Sequence, residues 1–175
     1  WGVNVNDILE MVGSTEVQAV QVGGPSGSLI ASNEFNRTLG YEDLSTGGSL
    51  IIFNNSRDLL KDVVLNFMEF FIEESCGSCS TCRIIPVLLR DKLNKILNAR
   101  GVKSDLTDLQ KWSKILKVSR CGLGHTASNP IITSLKNFRH LYEEKIQQEV
   151  EFDAGFDFSK AVVDASKATH RVANI

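Results

Sequence analysis

The sequence lacks any apolar run near the roughly 18 residues that a membrane-spanning helix requires, so direct membrane insertion is not expected. Its first residues, Trp1 to Asp7, carry neither a basic n-region nor an apolar h-region, which excludes a secretory signal there. The chain opens on Trp1 rather than Met, and we expect a fragment of a longer protein. Excess charge of either sign is missing: the formal net charge is −2 over 175 residues. That leaves no electrostatic case for a nucleic-acid partner or an anionic membrane surface. Two Trp, two Tyr and nine Phe fall in no low-complexity pattern. What is present suits a packed core, with 42% apolar and 23% charged residues. The length allows one domain or two small ones.

The cysteines are few but informatively placed. Of the four, Cys76, Cys79 and Cys82 form a Cys-x2-Cys-x2-Cys run, and Cys121 stands 39 positions beyond Cys82. A disulfide framework fits poorly, because nothing indicates secretion and a chain of this size needs no covalent staples. Structural zinc usually takes its ligands as two separated pairs. Three closely spaced thiols plus one distant thiol is the pattern of an iron–sulfur centre, and four thiolates match the four irons of a 4Fe–4S cubane. Zinc remains the alternative. A fully ligated cubane has no open position for substrate, so its expected role is electron transfer rather than hydrolysis.

The first third of the chain reads as mixed helix and strand. Asn6 offers a cap for a short helix from Asp7 to Val12. Val17 to Val22 alternates with period two, as a half-buried strand does, and a turn follows at Gly23-Gly24-Pro25-Ser26-Gly27. Leu29-Ile30 and Ser49 to Phe53 predict two more short strands. The remainder is helical. Leu60, Val63, Val64, Phe67, Met68 and Phe71 recur at helical spacing, after an N-cap offered by Asn54-Asn55-Ser56. A second helix is expected from about Thr81 to Asn98, with Pro86 pushing its proper start towards Ile84 or Ile85. Ser104 offers a cap for a third, about Asp105 to Val118, and Asn129-Pro130 opens a fourth that runs to about Val150.

Four helices with short connections predict an up-down-up-down bundle. The first and third connections then lie at one end, which brings Cys121 to the triplet. Helix N-termini at that end carry partial positive charge suited to an anionic cluster. Arg83 and Arg120 each adjoin a cysteine, as candidates to offset that charge, and His125 follows close behind Cys121. The small residues of Cys76-Gly77-Ser78-Cys79-Ser80 let backbone N–H groups approach sulfur.

The segment Glu74-Ser75-Cys76-Gly77-x-Cys79-x-x-Cys82-Arg83, with Cys121-Gly122-Leu123-Gly124, Ala127, Pro130, Ser134-Leu135 and Phe138-Arg139, resembles the cluster motif of the NADH-oxidising flavoprotein subunits. That family includes the flavoprotein of respiratory complex I (51-kDa type) and the diaphorases of NAD-linked hydrogenases and formate dehydrogenases. Val20 to Gly27 resembles the family's Gly-Gly-x-Ser-Gly segment, and Tyr41-Glu42-Asp43-Leu44 with Gly47-Gly48 fits too. Trp1-Gly2-Val3, Cys121 to Ala127 and the Phe156-Asp157-Phe158 tail look closest to the hydrogenase-type diaphorase.

The resemblance implies an α+β fold: a ubiquitin-like β-grasp (SLBB-type) domain over 1–54, a four-helix iron–sulfur domain over 55–150 and a C-terminal tail over 151–175. It implies that Cys76, Cys79, Cys82 and Cys121 ligate a 4Fe–4S cluster. The cluster would relay single electrons between FMN, reduced by NADH, and further iron–sulfur centres, within a cytoplasmic NAD-linked oxidoreductase. FMN and NAD(H) would sit on a missing N-terminal domain or partner chain. The implied partners are a thioredoxin-like 2Fe–2S subunit, a downstream iron–sulfur subunit and hydrogenase subunits. Thr81 stands where the family usually has Pro, and Ile84-Ile85-Pro86 where it usually has Gly. Gly23 to Gly27 lacks the Lys and following helix of a phosphate loop, so no FMN or NAD site and no catalytic residue is expected in this chain. The competing expectation is a zinc-stabilised interaction module without redox chemistry.

Overall fold

The structure, a computed structural model, describes residues 2–147 and 163–170. Three antiparallel strands, β1 (Val17–Val22), β2 (Ser28–Ala31) and β3 (Leu50–Asn54), form a sheet in the order β2-β1-β3. The turn between β1 and β2 is tight enough to dictate sequence. A Cβ on Gly27 would lie 1.7 Å from the Val22 carbonyl oxygen, so only glycine fits. The alternation along β1 does sort its residues onto two faces, but both faces are buried, not one. Ala19 and Leu29 join the main helical core, whereas Val20, Val22 and Ile30 pack with Val5, Leu9 and Phe35 in a second core. That second core is closed by α1 (Val5–Met11). Its cap is Asn4, not Asn6. Asn4 is extended, as a cap typically is, and its side chain accepts from Asp7 N–H at 2.9 Å, while Asn6 N–H is bonded to Phe35 O.

The helical part starts at Asp58 rather than at Asn54-Asn55-Ser56, because the Asp58 carboxylate accepts from the N–H groups of Leu60 and Lys61 at 3.0 and 3.1 Å. A wide π-helical turn, Leu59–Val64, leads into α2 (Leu65–Glu73). Next comes α3 (Ser80–Leu97), which runs through Pro86 instead of starting after Ile84 or Ile85. Its first turn is closed by Arg83 N–H on Cys79 O at 3.0 Å. Pro86 is buried in the helix and removes the N–H that the Cys82 carbonyl would otherwise accept.

In α4 (Lys103–Ile115) the expected cap Ser104 lies inside the helix. Val102 is the N-cap, and Asp105 reaches back to its N–H at 2.8 Å. Residues Leu116–Val118 tighten into a 3-10 turn. The expected fourth helix is in pieces: α5 (Gly122–Thr126), α6 (Asn129–Asn137) and α7 (Arg139–Glu143). Phe138, at φ −133° and ψ 35°, breaks the run between the last two. Ser128, not Asn129, is the N-cap of α6, and the Asn129 amide instead donates to Ser26 O at 2.6 Å. Residues 148–150 of the expected helix lie outside the described residues. So does most of the 151–175 tail, of which α8 (Val163–Thr169) is described.

Around the main core, α2 packs on α3, α3 on α4, and α4 on α6, which returns to the π-helical turn. Leu60, Met68, Phe71, Leu89, Leu93 and Leu109 lie at its centre. Helix α6 also covers the outer edge of β2. Leu29 N–H donates to Thr133 Oγ1 at 3.2 Å, and Asn137 Nδ2 donates to Leu29 O at 2.9 Å. An edge strand's free backbone groups are thereby satisfied by helix side chains.

Candidate metal centre

The cysteine triplet occupies the α2–α3 connection and the first turn of α3. Cys79 is the N-cap of α3 with no side-chain capping bond, so its side chain takes none of the first-turn N–H groups. Cys121 is likewise the N-cap of α5, with His125 N–H bonded to its carbonyl at 3.1 Å. Both cysteine segments therefore turn from extended chain into helix at a cysteine.

The two segments meet. Gly124, three residues past Cys121, packs on Cys82: a Cβ there would be 3.5 Å from Cys82 Sγ and only 2.4 Å from Ser119 Cβ. Only glycine allows this approach. Thr81 and Ser119 share a hydroxyl–hydroxyl hydrogen bond of 3.1 Å across the same contact. The His125 ring nitrogen Nε2 is hydrogen-bonded to Ser119 O, and Lys117 Nζ donates to His125 O at 2.7 Å. His125 thus holds the turn that carries Cys121.

All four cysteines are free thiols. Cys82 is buried, at 8% exposure, Cys79 is half-buried, and Cys76 and Cys121 are exposed. Among the described residues, no three Cys, His, Asp or Glu side chains are gathered as a metal-ligating group. The structure brings the segments together but does not close the four thiols into one ligand set. The donor chemistry fits a 4Fe–4S cluster: four soft sulfur donors in a three-plus-one arrangement, on two segments joined at the Cys82–Gly124 contact.

The flanking arginines are both exposed, and neither guanidinium has a hydrogen bond or ion pair among the described residues. Arg83 lies closer to the triplet loop, since a Cβ on Gly77 would be 3.9 Å from its Cδ. Motif reading overlooked the hydroxyls at Ser75, Thr81 and Ser119. Ser75 Oγ lies 3.3 Å from Cys82 Sγ. Its signal was its place directly before Cys76. Ser119 carried none, because it meets Thr81 only in three dimensions.

Further along, α3 is fixed to α4 by a buried ion cluster. Asp105, 1% exposed, accepts from Lys92 Nζ at 2.8 Å and Lys95 Nζ at 2.9 Å. Lys92 also meets Asp108 at 2.9 Å and lies 4.8 Å from the Trp112 ring centroid. Burial pushes the Asp105 carboxyl up, but the two lysines and the Val102 N–H outweigh it and hold the group below its ordinary range. Glu34 behaves alike at the sheet–helix junction. Burial raises it, and Lys136, Asn137 and Arg37 bring it below the usual value.

Residues 62–145 match the family described as the NADH-ubiquinone oxidoreductase-F iron–sulfur binding region. The chain is 40% identical over 171 residues to the alpha subunit of the NAD-reducing hydrogenase HoxS from Cupriavidus necator, covering 96% of this chain and 28% of that one. It is 29% identical over 160 residues to the NADP-reducing hydrogenase subunit HndC from Solidesulfovibrio fructosivorans, covering 85% of this chain and 32% of that one. Against a crystal structure of an NAD+-reducing [NiFe]-hydrogenase in the H2-reduced state, the TM-score is 0.81 at 29% identity. That match covers 99% of this chain and 31% of that one. The chain therefore spans about a third of the length of the relatives it matches.

Proposed function

Over residues 62–145 this chain belongs to the family of NADH-ubiquinone oxidoreductase-F iron–sulfur binding regions, and from that premise we propose that it is the electron-relay portion of an NAD-linked flavoprotein subunit of the hydrogenase diaphorase type. One observation carries the reading: the Cys121 segment is seated on the triplet helix through Gly124 and Cys82 Sγ, as a single four-thiolate site requires. Cys76, Cys79, Cys82 and Cys121 would hold the 4Fe–4S cluster. Such a cluster, when bound, takes up and releases one electron at a time. The residues of this chain position the thiols, shield Cys82 from water and set donors around it.

The diaphorase assignment, over the complex I or formate dehydrogenase counterpart, is supported by 40% identity to the HoxS hydrogenase chain. The NADH-quinone oxidoreductase relative from Streptomyces coelicolor is 31% identical. We read residues 1–54 as a β-grasp (SLBB-type) domain and 55–150 as a four-helix bundle, α6 and α7 forming its broken fourth member, with 151–175 as a tail. Electrons would come from FMN, reduced by NADH on a preceding domain or partner chain, and pass to a downstream iron–sulfur subunit, or flow in reverse. A thioredoxin-like 2Fe–2S subunit and hydrogenase subunits are the partners this role calls for. A cytoplasmic setting suits four free thiols.

Anaerobic purification followed by iron, sulfide and zinc analysis tests the proposal, together with the visible spectrum before and after dithionite. About four irons and four sulfides per chain, with broad absorption that bleaches, are expected. Bound zinc with no sulfide would replace this reading with the zinc-stabilised module.

A further inference from the structure

We propose that the Ser75 hydroxyl is a fixed hydrogen-bond donor to the Cys82 thiolate and thereby raises the reduction potential of the centre. The inference rests on the cluster reading above. Ser75 Oγ stands 3.3 Å from Cys82 Sγ, and Gly77 N–H donates to the same oxygen at 3.3 Å. A serine hydroxyl has one proton and two acceptor lone pairs. The Gly77 N–H can only donate, so it occupies a lone pair. A ligating thiolate carries no proton, so it can only accept. The one Ser75 proton is therefore directed at Cys82 Sγ. Gly77 sits at φ +71°, a left-handed conformation open to glycine at little cost, within this Ser75-to-Gly77 turn.

The four thiols differ in what can reach them. Cys76 and Cys121 are exposed, and water can donate to their sulfurs. Cys82 is buried, with Gly124 on its flank and Pro86 four residues along the same helix. Its sulfur depends on a protein donor, and Ser75 supplies one. Reduction adds negative charge at the sulfurs. A donor aimed at one of them stabilises the reduced form more than the oxidised form.

The test is a redox titration by electron paramagnetic resonance on the cluster-loaded full chain and its Ser75→Ala and Ser75→Thr variants. Ser75→Ala should keep its iron and sulfide and shift the midpoint to more negative potential, whereas Ser75→Thr, which retains the hydroxyl, should stay near the parent. A Ser75→Ala midpoint equal to the parent's, or a Ser75→Thr midpoint displaced as far as that of Ser75→Ala, overturns the proposal. A second measurement needs no variant. Electron–nuclear double resonance of the reduced parent after exchange into D2O should show a hydroxyl deuteron coupled through Cys82 Sγ, and its absence overturns the proposal equally. A parent chain that binds neither iron nor sulfide would overturn the cluster reading itself, which is a separate result.

Discussion

The two ends of α3 are held by opposite means. Towards its C-terminus, Leu89, Leu93 and Ile96 are fully buried, and Lys92 and Lys95 converge on Asp105. At its N-terminus, Cys76 lies exposed, Cys79 is half-buried, and the contact with the Cys121 segment includes a glycine, two hydroxyls and one thiol. One end is complete as a protein structure. The other has accessible thiols and close contacts between small residues, an arrangement that a bound group can complete. The buried ion cluster and the candidate metal centre thus lie at different ends of one helix.

The largest expected effect is at the cysteine end. Cys121→Ser should abolish cluster assembly nearly as fully as Cys79→Ser, by iron and sulfide analysis of the two variants. Full occupancy without Cys121 would separate the two segments functionally. Asp105→Ala should act at the opposite end. It removes a buried charge with two partners and the bond to Val102 N–H, and should lower unfolding free energy by about 3 kcal/mol in urea titrations. The midpoint potential of the loaded chain should not move. The same group predicts the pH response. Its folded pKa is depressed, so its contribution is fully present above the unfolded carboxylate range and is lost as pH falls through that range and the lower folded value. Acid titration of stability should therefore be flatter in Asp105→Ala.

Gly124→Ala comes next. Its Cβ cannot stand 2.4 Å from Ser119 Cβ, so the Cys121 turn must shift, at about 1–3 kcal/mol. Cluster occupancy should fall more than the thermal midpoint of the cluster-free chain. An equal fall in both would erase the distinction between the two ends. The smallest effects belong to Arg83→Gln and Arg120→Gln, each of which should lower the midpoint while leaving the cluster in place. Arg83 should have the larger effect, because its side chain borders Gly77. Unchanged midpoints would make both ordinary surface charges.

The sequence carried the apolar pattern of the helices and strands well, since burial repeats along the chain and is visible one residue at a time. It carried caps poorly. Asn6, Ser104 and Asn129 have the right side chains, but Asn4, Val102 and Ser128 occupy the cap positions, and Asp105 serves Val102 from inside the helix. Pro86 misled for a related reason: its burial in the packed helix tolerates the hydrogen bond it removes. Phe138 ends α6 in a backbone conformation that no local residue type announces. At the candidate site, the cysteine run was visible because its spacing is local. The clasp of Thr81, Ser119 and Gly124 was not, because it exists only when residues about 40 positions apart are folded together.

The helix-side cover on β2 bears on how the molecule comes apart. Leu29, at the margin of a three-stranded sheet, has both backbone groups tied to α6, while Ser26, in the preceding turn, is bonded to Thr126 and Asn129. A lone sheet of this size would fray from its margin. Here the margin can open only if α6 lifts away, and α6 helps enclose the main core. Sheet and helices are thus expected to open as one cooperative unit, with the Leu29 amide exchanging its hydrogen no faster than the α6–sheet junction parts.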